Sequence, residues 1–263
     1  MSDQGAIESL VPDHEGATRT ANDGQPPEPM RGTAVLSCRE LSKNYGTAHA
    51  LGPVTFDVQR GRIVGLLGPN GSGKTTLIKL IAGLLTPTSG SVSVCGNPIG
   101  TISKSIVSYL PERPYFSRTM RVDDCLSFFA EFYADFDRPL AYDMLGRLGV
   151  SSRSSFVQLS KGTKEKIQLV LVMARHASLY LLDEPIAGVD PAARDFILDT
   201  IISHYRRDAS ILLSTHLVAD VEHVLDDYLF LFNGSIQTYA PVEYARETLG
   251  TSLDDLFRRT FRC

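Results

Sequence analysis

The stretch GPNGSGKT, Gly68 to Thr75, constrains what this chain can fold into more than any other part of it. It follows the apolar run IVGLL and leads into TLIKLIAGLL, so a buried strand, a glycine-rich loop and a helix succeed one another. In that setting the pattern G-x-x-x-x-G-K-[ST] is a phosphate-binding loop. Its glycines let successive backbone N–H groups turn toward phosphate oxygens, and the helix N-terminus adds positive potential. Lys74 is placed to reach the β- and γ-phosphates, and the Thr75 hydroxyl to ligate Mg²⁺.

A second stretch supports the same chemistry. LYLLDEP, residues 179–185, is an apolar strand ending in two adjacent carboxylates. Adjacent acids are usually a solvated turn, but ligands of an open α/β sheet gather at the carboxyl ends of its strands. There Asp183 can hold Mg²⁺ through water, and Glu184 can orient or deprotonate an attacking water. His216 follows the apolar run SILLST, at another strand end of the same kind. A lone histidine is more often structural; its position is what makes it a site candidate.

Short β-rich runs at 34–38, 54–58, 63–67 and 91–95 are separated by turn residues. Residues 113–175 are helical by apolar spacing, in RVDDCLSFFAEFYADF, LAYDMLGRLGV and KEKIQLVLVMAR. Strands and helices then alternate: SLYLLDE, a helix from Pro191, SILLST, a helix from Leu217, and DYLFLFNGSIQTYA. That alternation predicts a mostly parallel sheet with helices on its faces.

Residues 1–33 are polar, contain Pro and Gly, and read as a disordered tail. The net charge of −4 resides there, in Asp3, Glu8, Asp13, Glu15, Asp23 and Glu28 against Arg19 and Arg31. The remainder is neutral, without the basic footprint of a nucleic-acid partner. Cys38, Cys95, Cys125 and Cys263 lie far apart in no metal-ligand spacing. With no secretory leader they read as reduced thiols of a cytosolic protein. No apolar run approaches the length of about 18 residues that a membrane-spanning helix needs.

Taken in order, GPNGSGKT, the YLPE loop, LSKGT, LYLLDEP, AGVD and STH resemble the ATP-binding cassette (ABC) family, the nucleotide-binding subunits of ABC transporters, over about residues 34 to 240. The resemblance implies an α/β fold: a P-loop NTPase core with a mostly parallel sheet, an antiparallel β subdomain near the N-terminus, and an inserted α-helical subdomain at about 113–175. The whole ATPase domain would run over 34–263, with ATP and Mg²⁺ as its ligands. Tyr45 matches the aromatic that stacks on adenine. Asn70, Gly71, Ser72, Gly73, Lys74, Thr75 and Thr76 would cradle the phosphates. Asp183 would serve Mg²⁺ with Thr75, Glu184 would be the catalytic carboxylate, and His216 would contact the γ-phosphate. Asp190 would lie in an inter-subunit loop. The family works as a head-to-tail pair, each ATP sandwiched between one phosphate loop and the partner's Leu-Ser-Gly-Gly-Gln stretch, and drives a separate membrane permease.

Two departures stand out. Ser160 and Gly162 match the family pattern, whereas Lys161 and Thr163 replace Gly and Gln. Lys161 either turns outward to pair with Glu165, an i,i+4 neighbour, or lends cationic attraction to the partner's ATP. Glu112, in YLPER, stands where the family usually carries a Gln that ligates Mg²⁺; a carboxylate can also ligate, but adds negative charge beside the phosphates. Both variations resemble export-type bacterial cassettes. The expectation is therefore an ATPase subunit, homo- or heterodimeric, that energises an exporter from the cytoplasmic face of the membrane. Phe116, Phe128, Phe129, Phe132 and Tyr133 are expected to be divided between the core and a groove that receives a permease helix. Two alternatives stay open. One is a cassette ATPase acting on ribosomes or DNA, against which the interval from Lys74 to Asp183 shows no heptad run and no cysteine cluster. The other is a cassette that binds ATP and barely hydrolyses it, which Lys161, Thr163 and Glu112 allow and Glu184 and His216 oppose.

Overall fold

The structure, a computed structural model, describes residues 34–114, 116, 117 and 119–261, the side chains of 192 and 193 excepted. The tail expected at 1–33 lies outside the described residues. Strands β1 (Ala34–Tyr45) and β2 (Ala48–Gln59) form an antiparallel hairpin that closes at the pair Tyr45 and Ala48. Both outrun the β-rich segments at 34–38 and 54–58. An irregularity after Cys38, with Glu40 at φ 47°, resets the side-chain alternation and lets pairing continue through RELSKNY.

Strand β3 (Ile63–Leu67) and helix α1 (Lys74–Ile81) flank the phosphate loop. Strands β4 (Ser89–Val94) and β5 (Asn97–Pro98) complete a small antiparallel sheet in the order β2-β1-β4-β5. After α2 (Thr101–Ser105) and β6 (Val107–Leu110) come three helices in succession: α3 (Val122–Phe132), α4 (Arg138–Arg147) and α5 (Lys161–Met173). The chain then returns through β7 (Leu179–Asp183), α6 (Pro191–His204), β8 (Ser210–Thr215), α7 (Val218–Val221), β9 (Asp227–Phe232), β10 (Ser235–Pro241) and α8 (Leu253–Phe261). The helix read from Leu217 is thus a single turn, with Leu217 as its N-cap.

The larger sheet has the order β10-β9-β3-β8-β7-β6, parallel throughout except for β10 at its edge. Every residue of β3, β7 and β8 is buried, which is why these strands read as unbroken apolar runs rather than alternating ones. Their side chains still alternate between two cores. Leu66, Leu181 and Leu212 pack toward α1 and the small sheet, while Leu67, Leu182 and Leu213 pack toward α5 and α6. None of the described helices is long and apolar enough to cross a membrane.

Helix α3 stops at Phe132, short of the RVDDCLSFFAEFYADF periodicity. The next residues turn back because they are taken by a buried cation. Asp135 accepts two hydrogen bonds of 3.0 Å from the Arg175 guanidinium, whose remaining N–H groups donate to the carbonyls of Val107 and Ser105 at 2.5 Å. The guanidinium also lies 3.8 Å from the Tyr133 ring centre. The aromatic run divides accordingly. Phe129 is buried and Phe116 stacks on buried Phe156 at 4.2 Å, whereas Phe128 and Phe132 pair with each other at 4.4 Å and stay 49% and 64% exposed.

Candidate functional site

The site forms where β3 and β7 end. Two glycines let the loop 68–73 press against its neighbours. A Cβ on Gly68 would lie 2.2 Å from the Leu231 carbonyl oxygen, and one on Gly73, already at φ 106°, would lie 2.7 Å from that of Ala50. Only glycine fits such approaches. Above the loop opens a cavity of about 400 Å³, lined by Asn70 to Thr76 and closed by Glu112, Glu184 and His216.

Lys74 is buried, and its ammonium donates to the carbonyl oxygens of Gly68 (2.7 Å) and Pro69 (3.2 Å) and faces Glu184 Oε1 at 3.4 Å. Burial pushes its pKa below the ordinary lysine range, and the Glu184 carboxylate offsets part of that. Glu184 Oε2 lies 3.1 Å from His216 Nδ1. A carboxylate only accepts, so this nitrogen carries the hydrogen and donates it. Glu184 itself is strained, with φ at 50° in the left-handed region. Its backbone N–H is held by the carbonyl and the hydroxyl oxygen of Ser214, both at 3.1 Å.

Asp183 lies at the back of the site. Its Oδ1 accepts from Thr75 Oγ1 at 3.1 Å and from Ser214 Oγ at 2.8 Å. Its Oδ2 is buried and has no hydrogen-bond partner among the described residues. Burial holds this carboxyl above the usual carboxylate range, against the two hydroxyl donors that lower it. Among the described residues no three His, Cys, Asp or Glu side chains form a metal cage by themselves. A threonine hydroxyl and the Asp183 and Glu112 carboxylates are nevertheless a hard-oxygen donor set that suits Mg²⁺, an ion that keeps waters and takes phosphate oxygens. The unpartnered Oδ2 of Asp183 is the atom such a hydrated ion would satisfy.

Ser214 escapes the sequence reading, although it holds the Asp183 carboxylate and the Glu184 backbone N–H; its only signal is a small hydroxyl at the end of SILLST. Other sequence candidates lie outside the cavity. Tyr45 is at the exposed tip of the β1–β2 hairpin, with the Lys43 ammonium 5.3 Å from its ring centre. Ser160 caps α5: its Oγ accepts from the Thr163 N–H at 3.1 Å and shares a 2.8 Å hydrogen bond with the Thr163 hydroxyl. Thr163 thus meets the Ser160 hydroxyl through both its backbone N–H and its side chain. Lys161 is 79% exposed and 3.6 Å from Glu165, the outward pairing. Gly162 faces open space, and Asp190 is an exposed residue whose carbonyl accepts from Arg194 N–H at 3.1 Å. A second hollow of about 270 Å³ lies between β6 and α3, lined by Leu84, Lys104, Tyr109, Phe128, Phe129 and Tyr133 among others.

Residues 51–187 match the ABC transporter family. The ABC-type transporter ATP-binding protein EcsA of Bacillus subtilis (strain 168) is 30% identical over 85% of this chain and 95% of its own length. SkfE, the SkfA peptide export ATP-binding protein of the same organism, is 29% identical over 77% and 87%. A solved ATP-binding subunit of an ABC transporter superposes with a TM-score of 0.77 at 32% identity, covering 86% of this chain and 98% of that one. The cavity has the chemistry of a nucleotide triphosphate site, the match spans more than half of the sequence, and a relative pairs along nearly its whole length. This chain belongs to the ABC transporter family, as an ATP-binding subunit with the α/β cassette fold of an ATPase.

Proposed function

We propose that this subunit couples ATP hydrolysis to export by working as one of two head-to-tail cassettes on the cytoplasmic face of a separate membrane permease. The observation that carries the hydrolytic part is the contact set of Glu184, which sits 3.4 Å from Lys74 and 3.1 Å from His216 at the mouth of the phosphate loop. The amides of Asn70 to Thr76 take the phosphate oxygens, and the Lys74 ammonium exchanges the Gly68 and Pro69 carbonyls for the β- and γ-phosphates. Glu184 accepts a hydrogen bond from a water and aligns it with the γ-phosphorus. The new P–O bond forms as the bond to the β,γ-bridging oxygen breaks, the water's proton passes toward Glu184, and ADP and phosphate result. His216 holds Glu184 through Nδ1–H; only as the imidazolium does it also donate Nε2–H to the γ-phosphate. Mg²⁺, held by Thr75, Asp183 and Glu112, would neutralise charge building on the phosphates.

Tyr45 would reach the adenine from the hairpin tip. Ser160, Lys161 and Gly162, at the N-terminus of α5, would face the partner's γ-phosphate, with Asp190 beside them. The segment 113–175 would act as the helical arm of the 34–263 domain, and its exposed Phe128 and Phe132 mark the side on which a permease helix would dock. Export is favoured by the similarity to SkfE, whose name is that of a peptide exporter's ATP-binding protein.

The test is Glu184→Gln, followed by phosphate release and by light scattering with and without ATP. Turnover falls by about two to three orders of magnitude, the scale of losing a positioned catalytic base. The ATP-bound chain doubles in mass. Unchanged turnover would remove Glu184 from the reaction; a monomer with ATP demonstrably bound would remove the self-paired dimer.

A further inference from the structure

Tyr109 lies in β6 and pairs across the ladder with Leu181 of β7. Side chains alternate along a strand, so Tyr109 and Asp183, two residues beyond Leu181, project from the same face of adjacent strands. Tyr109 lines the apolar hollow between β6 and α3 together with Leu84 and Phe128. Its hydroxyl is buried and has no hydrogen-bond partner among the described residues. A phenol keeps its hydrogen at neutral pH, so this oxygen is a donor in want of an acceptor. The other oxygen in question, Asp183 Oδ2, is likewise buried and unpartnered, while Oδ1 is already occupied by Thr75 and Ser214. Buried polar groups are almost always satisfied, and a donor and an acceptor left over on one face of neighbouring strands are complements.

We propose that Tyr109 is a positioning residue of the magnesium–nucleotide site, its phenol donating through one water toward Asp183 Oδ2 and fixing the carboxylate that faces the metal. The inference rests on the assignment of Asp183 to Mg²⁺.

Tyr109→Phe removes a single oxygen and leaves the ring in place. ATP affinity is measured on the full chain by equilibrium binding in EDTA and again with Mg²⁺, together with Tm. The expected result is an unchanged EDTA affinity, a Tm no lower than that of the wild type, and a Mg²⁺-dependent tightening of ATP reduced about tenfold, the usual scale for losing a partner of a metal ligand. Equal tightening in the two chains overturns the proposal and leaves the magnesium assignment standing. Equal losses with and without Mg²⁺ reveal a packing role and overturn it as well. A wild type that shows no Mg²⁺-dependent tightening removes the assignment of Asp183, and this inference with it.

Discussion

Arg175→Met tests what fastens the helical segment to the sheet. Methionine keeps the unbranched apolar stem but has no donor, so the change removes two bonds to Asp135, two to the carbonyls of Ser105 and Val107, and the stack on Tyr133. Breaking a buried ion pair by deleting one partner costs about 3–5 kcal/mol. Asp135 is 24% exposed and can recover some hydration, which moves the expectation toward the lower end. The two carbonyls add about 1 kcal/mol, because Met packing offsets part of their loss. A net destabilisation of about 4 kcal/mol corresponds to a fall in Tm of roughly 10 °C for a domain of this size. Thermal and urea unfolding of the full chain measure it, with Asp135→Asn and the double variant completing a cycle. Arg175→Lys restores little, since a point ammonium cannot serve a carboxylate and two carbonyls in one plane. A loss under about 1 kcal/mol, or strict additivity in the cycle, would refute the reasoning.

Two further outcomes follow from the site. Ser160→Ala removes the N-cap of α5 and lowers unfolding free energy by about 1 kcal/mol, read from the urea midpoint. Unchanged stability would mean that Thr163 caps the helix alone. Asp183 concerns pH. Its folded pKa is raised by burial, so the folded state binds this proton more tightly than the unfolded state does, and the ionised carboxylate costs stability at neutral pH. Asp183→Asn therefore raises Tm at pH 7 while removing the Mg²⁺ dependence of ATP binding. The gain in Tm shrinks as pH falls toward the unperturbed carboxylate value of about 3.9. A constant gap across that range would show that the carboxylate's charge is not the cause.

The parts of the site that were legible in the sequence are those whose chemistry is local. A glycine-rich turn opening a helix and two acids closing an apolar strand are each contained in a few residues, and fully buried strands announce themselves as unbroken apolar runs. Relations across the sheet are not written that way. Ser214 and Asp183 meet because β7 and β8 are neighbours in register, which no spacing in the chain encodes. The bulge after Cys38 hides β1 because it breaks the alternation that marks a strand. The early end of α3 is set by Arg175, some forty residues away. Local periodicity in RVDDCLSFFAEFYADF promises a longer helix than a distant buried cation permits.

The left-handed backbone at Glu184 has a consequence for the history of chains like this one. Energy is stored there by the very residue proposed to do the chemistry, and glycine would release it by occupying the same φ without strain. That gain is opposed by the buried Lys74 ammonium, which would lose the carboxylate facing it, so the strained residue is retained by the cation beside it. A drifting chain that gives up this carboxylate must also neutralise or replace the lysine.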